Sequence, residues 1–177
     1  MRWRAQSPVP NVIWFGQGGT AKSGVRQEEI VATKIQITFD CADPDRLARF
    51  WAEALHYRLQ DPPAGFDSWV SYYRSIGVPE EELDEGFDSV VDAEGIGPRI
   101  WFQRVPEGKV VKNRVHLDLD VTGGRSVPME TRRERVDAEA DRLVGVGATS
   151  LRITAEPGSI TTAWSCRIPE GNEFCLH

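Results

Sequence analysis

Asn113-Arg114-Val115-His116-Leu117-Asp118-Leu119-Asp120-Val121 decides the fold, because it restates a pattern already met upstream. Val115, Leu117, Leu119 and Val121 alternate with His116, Asp118 and Asp120, the period of two expected of a half-buried strand. From Lys34 the chain does the same: Ile35, Ile37 and Phe39 alternate with Gln36, Thr38 and Asp40. Gln36 and His116 are matched positions 80 residues apart, which indicates one duplicated unit rather than a solenoid of many.

The segments downstream of the two copies also match. After the first, Asp43-Pro44 supplies a helix cap and first turn, and Leu47, Phe50, Trp51, Ala54 and Leu55 form one apolar stripe. Strands are expected at 57–60, 89–92 and 99–105, the last two separated by Gly95-Ile96-Gly97-Pro98. After the second copy, Gly123-Gly124 leads to a helix over 128–146 whose packed side carries Val136, Ala140, Leu143 and Val144. Strands are expected at 150–154, 161–167 and 173–176. The order is strand, helix and three strands, written twice. That predicts an α+β fold of two tandem βαβββ modules, one over 34–110 and one over 113–177.

Residues 66–85 break the pattern. Ser68-Trp69-Val70-Ser71-Tyr72-Tyr73 suggests a helical turn or two, and Pro79-Glu80-Glu81-Glu82 another, together an excursion over the sheet. Residues 1–33 look like an appended arm that is flexible or docks on a partner. Within it Val12-Ile13-Trp14-Phe15 and Gly16-Gln17-Gly18-Gly19-Thr20-Ala21-Lys22-Ser23 nearly spell a phosphate loop, but Ala21 stands where that loop needs glycine.

Composition excludes several classes of function. The chain has 177 residues, 40% of them hydrophobic, enough for one domain or two small modules sharing a core. A net charge of −6 disfavours nucleic acid, whose phosphates demand clustered Lys and Arg. Three cysteines, Cys41, Cys166 and Cys175, without a C-x-x-C pair point to a reducing cytoplasm rather than a disulfide framework. No apolar run approaches the roughly 20 residues of a membrane span, and the prolines after Arg2 and Arg4 leave no export signal.

The duplicated unit, with the closing turn Pro169-Glu170-Gly171-Asn172-Glu173-Phe174, resembles the vicinal oxygen chelate superfamily of glyoxalases, bleomycin resistance proteins and dioxygenases. The strings Phe102-Gln103-Arg104-Val105-Pro106-Glu107 and Lys112-Asn113-Arg114-Val115-His116-Leu117-Asp118 are similar to its glyoxalase-like domain branch. The resemblance implies curved mixed sheets around a cup-shaped cavity, with helices on the outer faces, and often a homodimer. Its metal positions map onto Gln36, Gln103, His116 and Cys175, of which only His116 is a typical ligand. A hard divalent ion wants anionic oxygens, so no cofactor is expected and a divalent metal is disfavoured.

Strand alternation turns Gln36, Thr38 and Asp40 away from the helix and into the cup, with His116, Asp118, Glu173 and Cys175, and sets Trp101 and Gln103 on one face. Trp69 and Tyr72 in the excursion can stack on a flat ligand. His116 and Asp118, about 7 Å apart at Cα on one strand, can share a hydrogen bond and serve as a proton-transfer pair. They equally suit a structural role in which Asp118 pairs with Arg114 or Lys112. The expected function is a small-molecule-binding protein holding an apolar or aromatic ligand. The alternative is a metal-independent lyase or isomerase that uses His116 and Asp118 on a carbonyl-containing substrate.

Overall fold

The computed structural model describes residues 33–83, 85–151 and 164–177. The arm with its near phosphate loop, and the strand residues expected at 152–154 and 161–163, lie outside these. In chain order the elements are β1 (Gln36–Cys41), α1 (Pro44–Leu55), β2 (Arg58–Leu59), α2 (Trp69–Ser75), a 3-10 turn (Glu80–Glu82), β3 (Ser89–Val91) and β4 (Arg99–Arg104). The second half contains β5 (Asp118–Leu119), α3 (Met129–Gly145), β6 (Thr149–Leu151), β7 (Trp164–Arg167) and β8 (Glu173–Leu176).

Two four-stranded mixed sheets result, ordered β1-β4-β3-β2 and β5-β8-β7-β6. In each, the first strand runs parallel to the last and the other pairings are antiparallel. The two sheets repeat one topology, as the duplication predicts. Register carries the same equivalence: Thr38 faces Trp101, and Asp118, 80 residues after Thr38, faces Cys175.

The helix α1 forms where the sequence calls for it. The Asp43 side chain accepts from the Arg46 N–H at 3.0 Å, Pro44 opens the first turn, and His56 ends the helix in the left-handed region at φ 54°. Its stripe buries Leu47, Ala48, Phe50, Trp51 and Ala54. Trp51 lies at the seam of the modules, 5.4 Å from the Phe39 ring of sheet one and 5.6 Å from the Phe174 ring of sheet two, centre to centre. Val136, Ala140 and Leu143 of α3 join the same cluster, so both modules share one core.

The turn between β7 and β8 joins the modules from the other side. Gly171 takes φ +89°, which glycine adopts without strain, and its N–H meets the Ile168 carbonyl at 2.8 Å. This presents Glu170 to the start of α1, where its carboxylate accepts from the backbone N–H groups of Ala42 and Asp43, each at 2.8 Å. A carboxylate at a helix N-terminus satisfies donors the helix cannot.

Some expectations change. The strand expected from Asn113 begins later: pairing starts where Cys175 N–H meets the Leu117 carbonyl, so Val115 is 81% exposed. Ile35 precedes the first paired residue, Gln36, and is 70% exposed instead of meeting the helix. Val144 is exposed rather than packed. Only α1 and α3 lie on the apolar faces. The short α2 sits on the opposite, polar face of sheet one: Tyr73 Oη and Trp101 Nε1 both donate to Asp88 Oδ2, at 2.8 and 3.1 Å.

Candidate functional site

The polar face of sheet two brings together His116, Asp118 and Cys175. Asp118 and Cys175 face each other across the parallel β5–β8 pair, and His116 stands two residues before Asp118 on the same face. His116 Nδ1 lies 2.8 Å from Asp118 Oδ1 and 3.9 Å from Cys175 Sγ, and Cys175 Sγ lies 3.7 Å from Ser165 Oγ. The carboxylate accepts the Nδ1 proton, which leaves Nε2 as the basic nitrogen of the neutral ring. Asp118 therefore turns to His116. Among the described residues it forms no ion pair with Lys112 or Arg114.

The surroundings of Cys175 do not favour its thiolate. Burial raises its thiol pKa, and the Asp118 charge adds to that rise against a lowering by Ser165 and Lys112. Its sulfur also contacts the proton-bearing nitrogen of His116, not the basic one. Cys41 and Cys166 are buried thiols pushed up to about 12 and about 11 by burial. All three cysteines are free.

A cavity of about 520 Å³ opens over this cluster, lined by His116, Ser165 and Cys175 and by Lys109, Val110, Val111, Lys112, Leu151, Arg167, Glu170, Gly171 and Glu173. Glu173 is held in place by the Asn113 N–H at 3.1 Å and by Lys109 Nζ at 3.1 Å. The Asn113 bond, supported by Lys109, holds its carboxyl at about 2. Asp120 turns away to its own Thr122, accepting from N–H and Oγ1 at 3.1 and 3.0 Å. Ser165, opposite Cys175 in register, has no signal in the sequence beyond being a small polar strand residue.

The matching face of sheet one is occupied by its own side chains. The structural counterpart of Cys175 is Trp101, and Gln103 stands two residues further, opposite Asp40. Gln36 accepts from Arg99 Nη1 at 2.7 Å, and Arg99 Nε donates to Gln60 Oε1 at 2.6 Å. Burial pulls the Arg99 pKa below its ordinary value, against the nearby Asp88 charge. Trp69 is 7% exposed and donates its indole N–H to the Gln60 carbonyl at 2.8 Å; its ring stacks on Tyr73 at 5.4 Å. Burial, then Asp88, drives the Tyr73 phenol far above its ordinary pKa. Tyr72 is half-buried, edge-on to Trp69 and Phe66. Thr38 remains exposed. Thus Gln36, Trp101, Trp69 and Tyr72 belong to one network on module one. His116, Asp118, Glu173 and Cys175 form another on module two, whose cavity is lined without any β1–β4 residue.

The residues do not fit a hard divalent ion. Such an ion prefers several anionic oxygen ligands, and in this cluster Asp118 is the one carboxylate, which would leave most of the shell to water. The donor atoms of His116, Asp118 and Cys175 do lie within 4.8 Å of one another. A thiophilic ion there would have to displace the shared Nδ1 proton and a thiol proton whose pKa is raised. Gln36, the ligand position mapped on β1, is already engaged by Arg99.

No helix among the described residues is long and apolar enough to cross a membrane. No curated protein matches the sequence. Solved structures do resemble the fold. The fosfomycin resistance protein FosX of Listeria monocytogenes aligns at TM-score 0.53 with 11% identity, over 84% of this chain and 91% of that one. A glyoxalase/bleomycin resistance protein/dioxygenase family enzyme of Burkholderia phytofirmans PsJN aligns at 0.50 with 16% identity, over 80% and 94%. Protein ATC0852 of Agrobacterium tumefaciens aligns at 0.50 with 11% identity, over 83% and 97%. The family model for the glyoxalase-like domain matches residues 36–177. The chain therefore belongs to the glyoxalase-like domain family, and these structures share its fold.

Proposed function

We propose that the protein binds a small organic molecule with an apolar or aromatic body in the module-two cavity, without a resident hard metal ion. The observation that carries this reading is the 520 Å³ cavity itself, with Val110, Val111 and Leu151 beside His116 and Ser165. Small-molecule pockets are concave and set polar groups beside apolar side chains, and this one combines three aliphatic side chains with a larger set of polar and charged ones. The three free cysteines agree with a reducing cytoplasm. A homodimer belongs to the same reading: β1 and β5 are terminal strands of their sheets, and Ile35 and Val115, just before them, are exposed by 70% and 81%.

The 2.8 Å contact between His116 and Asp118 favours a second reading, in which the bound molecule carries a carbonyl group and His116 moves a proton on it. A carboxylate that accepts from Nδ1 fixes the tautomer and leaves Nε2 to take or return the proton. That is isomerase or lyase chemistry. No step in it requires a metal.

The metal part of the proposal is tested by elemental analysis of protein purified without chelator and without a metal-affinity tag. Manganese, magnesium, iron and zinc are expected well below one ion per chain. One stoichiometric divalent ion would overturn the metal-free reading.

A further inference from the structure

The charges that line the module-two cavity are unevenly committed. Lys109, Lys112 and Arg167 face Glu170 and Glu173 there. Both acids are satisfied from within: Glu170 by the Ala42 and Asp43 N–H groups, Glu173 by Asn113 N–H, Lys109 and, at 4.0 Å, Arg167. Lys109 is in turn held by Glu173 and by the Val111 carbonyl. Among the described residues the Lys112 ammonium has no ion pair and no hydrogen bond. Its charge reaches Cys175, whose thiol it stabilises as the anion. Asp118, the remaining acid near this floor, is engaged by His116.

In a chain of net charge −6, three cations and two acids line this cavity; Lys109 and Arg167 are committed to Glu173, Glu170 is held by backbone amides, and Lys112 is left as the cation without an acidic partner among the described residues. Like-charge repulsion from the rest of the surface makes this a selective place for an anion rather than a general one. We infer that Lys112 anchors the carboxylate of a small organic acid, whose apolar body lies on Val110, Val111 and Leu151 and whose inner end reaches His116. This rests on the proposed binding site and adds the class of its ligand. Lysine suits the task as a point charge on a flexible stem, able to follow acids of different length.

Three matched pairs of probes test it: benzoate, phenylacetate and 2-naphthoate, each against its own primary amide. Binding is followed by NMR through the His116 ring signals, with dissociation constants from the titrations. The carboxylates are expected to shift His116 and to bind about three- to fivefold more tightly than their amides, as an ion pair to an exposed lysine allows. Lys112→Gln removes that preference, and Lys112→Glu reverses it. Lys112 is exposed, so both variants keep the wild-type fold, which thermal unfolding verifies. Equal affinity for acid and amide, or a preference that survives Lys112→Gln, overturns the anchor and leaves the binding site standing. If none of the six compounds shifts His116, both the anchor and the binding site fall.

Discussion

Replacing Trp51 with alanine is expected to destabilise the protein by about 3–5 kcal/mol, the usual result of emptying an aromatic site in a closed core. Trp51 is 1% exposed and meets Phe39 on one sheet, Phe50 on its own helix and Phe174 on the other sheet, with ring centres 5.4, 5.5 and 5.6 Å away. No single neighbour can move in to refill the space, because the three belong to three different elements. Domains of this size are stable by only about 5–15 kcal/mol in total. With a denaturant dependence near 2 kcal/mol per molar, the urea midpoint followed by circular dichroism should fall by roughly 2 M. Trp51→Phe should cost much less. The Trp51 indole N–H has no acceptor among the described residues, so its removal forfeits area but no hydrogen bond. A midpoint shift under roughly 0.5 M for the alanine variant would show that the modules are not held through this residue.

His116→Ala should separate the two functional readings. If the bound molecule undergoes proton transfer, turnover of carbonyl compounds falls by about 10²- to 10⁴-fold, the range a positioned general base supplies. Affinity for the ligand stays within about threefold, since His116 offers one polar contact beside an apolar wall. Asp118→Asn keeps the shape of the pair but removes its charge and can turn an N–H toward Nδ1 in place of the acceptor, so the ring tautomer is no longer fixed and turnover should lie between wild type and His116→Ala. The side chains of His116 and Asp118 are 36% and 52% exposed, and neither change should alter stability appreciably. Turnover that survives His116→Ala would end the proton-transfer reading. A panel on which the wild type turns over nothing, but binds, leaves the binding reading alone.

Much of the architecture is legible in the residues. The alternation around Ile37 and Phe39, the Asp43-Pro44 cap and the Leu47-Phe50-Trp51-Ala54 stripe are local signals, and local physics decides them. The 80-residue offset holds because each module pairs its first strand with its last in the same register. The cluster of His116, Asp118 and Cys175 comes from that alternation.

The rest depends on distant partners. Tyr73 donates to Asp88, 15 residues on, and nothing near either residue announces that α2 will occupy the polar face of sheet one. Glu170 reads as a turn residue, yet its carboxylate reaches amides 127 and 128 residues earlier. Asn113–Val115 alternates like a strand but outruns its partner, because β8 begins at Glu173, level with His116 in the β5–β8 register. The family mapping puts the module-one counterpart of Cys175 near Gln103, with a register that depends on where the loop before Lys112 is drawn, and by strand pairing the counterpart is Trp101, two residues earlier.

The central claim is that small molecules bind over His116 on module two, and not on the aromatic network of module one. The most direct measurement is a fragment titration of isotope-labelled protein, read residue by residue through chemical shifts. The claim predicts that binding fragments first move the signals of His116, Ser165 and Cys175. Fragments that move Trp69, Trp101 and Gln36 while His116 stays unshifted would contradict it.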